Sequence, residues 1–278
     1  MSALTFLLLM IGAALHAIWN ALIRGAKDRI ATTMAVAGGS ALFAAVVLPF
    51  LKQPASASWI FLALSTGIHL VSYSLVARAY HVADMTQVYP LMRGTAPLLT
   101  AIIAILWLHD IVPPLSWAGI VATSIGVGIL VFARHQDWNR RGLFYALANA
   151  VTIAAYSAVD GAGVRQSQAP AAYALWVFLC TGLILCAFSL TQHGECFGRR
   201  LKENWWRGLV GGTGSALSYG IALWAMTRVP IPVVSAAREC SIAFGTLIAV
   251  LFLKERMNAS RLLATGMIVL GAVILRLA

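Results

Sequence analysis

Two arginines, Arg93 and Arg238, stand inside long apolar runs in matching surroundings 145 positions apart. A guanidinium in such a place offers a planar fork of donors that fits a carboxylate or phosphonate through paired hydrogen bonds. Removed from water, a charge costs at least ~2.5–3.5 kcal/mol on membrane-insertion scales, so each arginine needs a partner or a wet cavity. Each lies about ten residues into its run, roughly 15 Å along a helix at 1.5 Å per residue. That depth is near the middle of a bilayer. Two readings stay open at this point: contact with an anionic ligand, or bracing by Glu239, Asp84 or Asp160.

Polar and aromatic residues recur at helical spacing around these arginines. Tyr89, Arg93, Ala96 and Thr100 fall on one face of their run, and Val234, Arg238, Ser241 and Gly245 on the corresponding face of the other. His16, Trp19 and Asn20 share a face by i, i+3, i+4 spacing, as do Asn149, Tyr156, Ser157 and Asp160 on a later run. His69, Ser72 and Tyr73 are answered by Ser215, Ser218 and Tyr219. Single Ser and Tyr residues of this kind also serve as interhelical glue. The binding candidates are Arg93, Arg238, Tyr89, His16, Trp19, Asn20, Tyr73, Tyr156, Ser157 and Tyr219. Glu239, Asp160 and His16 are candidate proton carriers, since a buried carboxylate or imidazole can titrate in the working range. Pro90 and Pro97 flank Arg93, and Pro230 and Pro232 open the later run. This predicts a discontinuous segment around Arg93, with a simple packing kink as the alternative, because proline removes a helical donor. Asp110 and Glu255, at equivalent helix ends, are expected to cap or contact loops.

Other chemistry is poorly served. The chain has no H-E-x-x-H, no G-x-S-x-G and no clustered acid pair, which weighs against an intramembrane enzyme. Cys180, Cys186, Cys196 and Cys240 show no metal or redox spacing, and no metal or other cofactor is expected. Lys and Arg total 20 against 9 Asp and Glu, a net charge of +11. These basic residues lie singly or in twos and threes between apolar runs, without a stripe or stacking platform, so nucleic acid is not an expected partner.

Elements that could hold these residues follow from composition. The 278 residues are 60% hydrophobic and 10% charged, far from a soluble domain. At about 20 residues per crossing, ten crossings leave only short loops and no extramembrane domain. Apolar windows predict helices at approximately 4–23, 31–51, 58–77, 84–107, 115–133, 143–163, 170–191, 207–227, 231–253 and 259–277. The first lacks a basic flank and carries His16, Trp19 and Asn20, so it reads as a mature helix rather than a signal peptide. Of the 20 basic residues, Lys52, Arg165, Arg228 and Arg276 flank one face and Arg93 and Arg238 lie within helices, leaving fourteen for the other face. Loops rich in Lys and Arg stay in the cytoplasm, which predicts both termini outside it. Trp59, Trp107, Trp205 and Trp206 near span ends fit an interfacial belt. Gly119, Gly126, Gly128, Gly266 and Gly271 suggest close helix contacts, within a monomer or across a homodimer.

The chain also aligns on itself. Trp59 to Ala79 matches Trp205 to Ala225 without gaps, setting Ser72 on Ser218 and Tyr73 on Tyr219. After a one-residue deletion Arg93 meets Arg238, Asp110 meets Glu255 and Gly126 meets Gly271, while Trp19 and Asn20 correspond to Tyr156 and Ser157. Five crossings per half start the second half on the opposite face. The expected architecture is therefore an all-α integral membrane protein of ten transmembrane helices in two inverted five-helix repeats, 1–137 and 138–278.

With its Trp-Asn and Tyr-Ser pair and the run Tyr89-Pro90, Arg93-Gly94, Pro97 and Asp110, the chain resembles the EamA group of the drug/metabolite transporter superfamily. The resemblance covers essentially the whole chain. It implies a multi-pass bacterial inner-membrane secondary transporter working by alternating access, and it implies cytoplasmic termini, opposite to the charge count. It also implies a small polar cargo, an amino acid or related metabolite; the His16-Ala17-Ile18-Trp19-Asn20 style of first helix is associated with phosphonate metabolism. A lipid bilayer, a small anionic or zwitterionic substrate and a coupling proton are the expected partners. A passive pore or a non-transporting membrane scaffold is the competing reading.

Overall fold

A computed structural model describes residues 1–83, 85–132, 139–253 and 257–278, the side chains of 85–87, 193, 195–197, 199–201, 252 and 253 excepted. Asp84 and Glu255 therefore lie outside the described residues, as does the expected repeat boundary at 137. The described chain is all helical: α1 (Ala3–Arg24), α2 (Arg29–Val47), α3 (Trp59–Val82), α4 (Met85–Leu108), α5 (Pro114–Phe132), α6 (Arg140–Ser167), α7 (Pro170–Glu203), α8 (Trp205–Met226), α9 (Ile231–Ala237), α10 (Cys240–Leu253) and α11 (Ala259–Leu277). The starts are written locally. Ser2, Asp28, Asn139 and Asn258 each accept a backbone N–H from the first turn of α1, α2, α6 and α11. α7 is broken at Gly194, where φ is +50°.

Nine helical segments among the described residues are long and apolar enough to cross a membrane, α9 with α10 counting as one. α8, 22 residues long, falls short because it spends Gly208, Gly211, Gly212 and Gly214 on its contacts. A side chain at Gly208 would run into the Ala35 backbone, and one at Gly212 into Gly39 and Ser40. Here α2 and α8 approach backbone to backbone, as small residues allow inside a membrane. Gly119, Gly126 and Gly271 serve the α5–α11 contact in the same way, within one chain, whereas Gly128 and Gly266 meet nothing. Large apolar residues such as Ile11, Leu64, Ile102, Ile125, Leu217 and Val269 point outward, where lipid would lie.

The helices alternate in direction. At one end of the bundle Asn139 Nδ2 donates to the Val82 carbonyl at 2.7 Å and Thr32 meets Asn204 at 3.3 Å. At the other, Ala55 N–H donates to the Ser167 carbonyl at 2.9 Å, Trp176 Nε1 to Gln53 at 2.8 Å, and Arg276 reaches Met1. The pairings match when the halves are exchanged: α3 packs on α6 as α8 packs on α1, α4 on α6 as α10 on α1, and α4 on α5 as α10 on α11. Single bonds repeat too. Ser72 donates to Asn149 at 2.8 Å, and its counterpart Ser218 donates to the carbonyl of Gly12 at 2.7 Å. Gly12 is the position that the Trp19–Tyr156 alignment sets opposite Asn149.

Two expectations need correction. α4 runs unbroken from Met85 to Leu108 with Pro90 and Pro97 inside it, so Arg93 does not occupy a broken segment. The break falls in the other half, where the expected single helix 231–253 divides at Arg238 and Glu239 into α9 and α10. There the backbone tightens: Glu239, Ser241 and Ile242 N–H groups each bond a carbonyl three residues back.

Candidate functional site

The tightened turn at Arg238–Glu239 sends two adjacent charges to different helices. Glu239 Oε1 lies 3.0 Å from Arg93 Nη2 on α4, and both side chains are almost wholly buried. No directed hydrogen bond reaches Arg93 Nε, Arg93 Nη2 or Glu239 Oε2 from a described residue. Arg238 turns to α8 instead, its guanidinium over the Tyr219 ring at 4.8 Å, a favourable seat for a cation when water is scarce. Among the described residues no carboxylate lies within ion-pair distance of Arg238. The three charges together leave one excess positive charge, on Arg238.

Tyr219 joins this cation to a second centre. Its hydroxyl donates to Asp160 Oδ2 at 2.5 Å, Tyr173 O–H donates to Asp160 Oδ1 at 3.2 Å, and His69 Nε2 faces Oδ2 at 3.4 Å. Asp160 is fully buried within α6, not at a helix end. Gly163, one turn beyond it, lacks the side chain that would collide with the Tyr173 hydroxyl. His69 stacks on Tyr156 at 4.1 Å, and Tyr156 and Tyr219 meet edge to face at 6.2 Å.

The other expected residues divide. His16 lies within electrostatic reach of Arg93 and Arg238, Tyr89 within reach of both arginines and Glu239, and Tyr73 within reach of Tyr156. Trp19 meets His16 edge to face at 5.0 Å, and its indole Nε1 is buried with no described partner. Asn20 is occupied locally, donating to the His16 carbonyl at 2.8 Å. Ser157 is 1% exposed, and no described contact ties it to the charged cluster. Ala96, Thr100, Val234 and Ser241 are buried, while Tyr89 and Gly245 on the same faces are partly exposed. Asp110 does cap: it accepts the Ile231 N–H at 2.9 Å and takes the Arg165 guanidinium with both oxygens, at 2.6 and 3.1 Å. Tyr173 carries no sequence signal that would have marked it, being one aromatic residue among many in an apolar run.

A described chain built of helices, most of them long and apolar enough to cross a membrane and with charged side chains buried between them, fits an all-α membrane protein. The EamA-like transporter family, of the drug/metabolite transporter superfamily, matches this chain through its family model over residues 140–277. Its members are transporters of small molecules rather than enzymes. A solved crystal structure is similar over 99% of this chain and 96% of its own, with a TM-score of 0.69 at 18% identity, a likeness of fold. No curated protein matches the chain.

Proposed function

We propose that this drug/metabolite-type transporter is a secondary active carrier of a small metabolite bearing a carboxylate or phosphonate, moved across a bacterial inner membrane by alternating access. One observation carries the substrate class: Arg238 is a cation inside the bundle with no carboxylate in contact among the described residues, while Arg93 is held by Glu239. Arg238 binds the anionic group. Tyr219, Tyr156, His69 and Trp19 supply aromatic walls, and Arg93 with Glu239 braces α4 against the α9–α10 turn. The unpartnered Trp19 Nε1 is a spare donor for the cargo.

The test is uptake into proteoliposomes of labelled monocarboxylates, zwitterionic amino acids and alkylphosphonates. Saturable uptake of an anionic probe, lost in Arg238→Ala, is the expected result. A folded Arg238→Ala protein transporting at the native rate overturns the substrate assignment. Unsaturable flux through the native protein favours a pore, and no flux of any probe favours a scaffold.

A further inference from the structure

Among the described residues no Lys or Arg lies within ion-pair distance of Asp160. Arg165, five residues along α6, is committed to Asp110. The groups facing Asp160 are His69 from α3, Tyr173 from α7 and Tyr219 from α8, with Tyr156 on its own helix beside His69. From α4 comes Arg93, held by Glu239; from the α9–α10 turn comes Arg238, on the other face of Tyr219. The stretch Ser56–Ser58, which also packs on α6, brings no titratable group. Tyrosine hydroxyls donate to the carboxylate without changing its charge, so His69 is the group in contact that could balance it by protonation. The imidazole retains 16% exposure while Asp160 has none, which makes His69 the more accessible member of the pair.

From this we infer that the Asp160–His69 pair is a proton-binding site, and that one proton travels with each monoanion on Arg238. The inference rests on the proposed reading of Arg238. Charge balance at membrane depth couples the two ligands. Counted formally with Asp160 as a carboxylate and His69 as an imidazole, the empty centre sets Arg93 and Arg238 against Glu239 and Asp160, a net charge of zero among the described residues. A monoanion alone makes it negative, and a proton alone makes it positive. Both charged forms bear the penalty for an uncompensated intramembrane charge. Anion and proton together restore zero, so each ligand raises the other's affinity, as reciprocal linkage requires. The proton sits on Asp160 Oδ2 or His69 Nε2, within one hydrogen bond of each other, and leaves to water through the imidazole; no bond to the cargo forms or breaks. Tyr219 spans the two loads, its ring under the guanidinium and its hydroxyl on the carboxylate. A cargo of zero net charge satisfies the balance without a proton.

The experiment measures proteoliposomes with a trapped pH dye and an imposed voltage, using lactate, methylphosphonate and glycine as probes. The expected result is anion accumulation of about tenfold per unit of pH gradient, the equilibrium limit for one proton per monoanion. Proton influx should accompany the anion, voltage should have no effect, and glycine should draw no proton. Asp160→Asn is expected to abolish the gradient-driven accumulation, and His69→Gln to reduce it at least tenfold. Counterflow and thermal unfolding of each variant separate lost coupling from lost folding. Anion uptake that needs Arg238 but responds to voltage and not to pH overturns the proton site and leaves the substrate reading standing. So does full gradient-driven accumulation in folded Asp160→Asn. If neither anion is transported, the substrate reading fails and the proton site with it.

Discussion

Arg93 and Arg238 match in sequence, yet their removal should have different consequences. Arg93→Ala leaves Glu239 buried without the guanidinium 3.0 Å away, and breaking one side of a buried pair costs about 3–5 kcal/mol. A large fall in thermal stability of the detergent-solubilised protein is expected. The double variant Arg93→Met, Glu239→Gln should recover most of it, because no uncompensated charge remains. Arg238→Ala breaks no ion pair with a described carboxylate but removes the cation seated on Tyr219, a contact worth about 0.5–2 kcal/mol, so it should cost less stability than Arg93→Ala and act chiefly on transport. The sequence could name both arginines, since a charge inside an apolar run is conspicuous. It could not distinguish them. That distinction depends on which way two adjacent side chains leave a tightened turn, and on partners 146 positions away in the case of Glu239 and Arg93. Asp160 was likewise legible as an intramembrane carboxylate, whereas its contact with His69 spans 91 positions, and the role of Tyr173 had no local signature.

At the scale of elements, the short α9 depends on a group outside itself. Pro230 and Pro232 open it, and its first N–H, on Ile231, is taken by Asp110 at the end of α4. Asp110 holds Arg165 of α6 as well, and Arg165 Nε donates to the Met226 carbonyl at the end of α8 at 2.9 Å. One carboxylate thus ties four helix ends. Asp110→Ala should cost about 1–2 kcal/mol through the lost cap and the orphaned donor, seen as an earlier unfolding midpoint. Asp110→Asn keeps an acceptor for Ile231 and should lose less. The helices, nine of them among the described residues apolar enough to span a membrane, and most of their edges were legible because hydropathy and side-chain capping are local properties. The division of 231–253 was not, since Val234, Arg238 and Ser241 continue a helical spacing across a break that tertiary contacts impose. Pro90 and Pro97 misled in the opposite sense, because helix neighbours inside a membrane can accommodate proline without interrupting the helix.

In the whole molecule, the gap-free match of α3 with α8 hides a difference. Gly208 and Gly212, which let α8 touch the backbone of α2, and Gly211, which makes room for the Val36 side chain, correspond in α3 to Leu62, Thr66 and Ser65. α3 meets α7 at the opposite end of the bundle through an edge-to-face pair, Trp59 with Trp176 at 5.1 Å. If the two seams are the alternating closures of the carrier, they are latches of unequal strength. Three residues of drift between duplicated halves then become a standing bias of a two-state equilibrium. The empty protein should rest with its Arg24, Arg29 and Arg207 end shut. Giving α8 the bulk that α3 carries, through Gly208→Leu and Gly212→Thr, should open that end. A cysteine at Ser40, 2% exposed beneath the seam, should then react with a polar maleimide at least tenfold faster than in the otherwise native chain lacking its own cysteines. Unchanged reactivity in a folded variant would mean that the seam does not gate access. The duplicated sequence would thus set a direction of rest as well as a shape, with no substrate or ion needed to choose it.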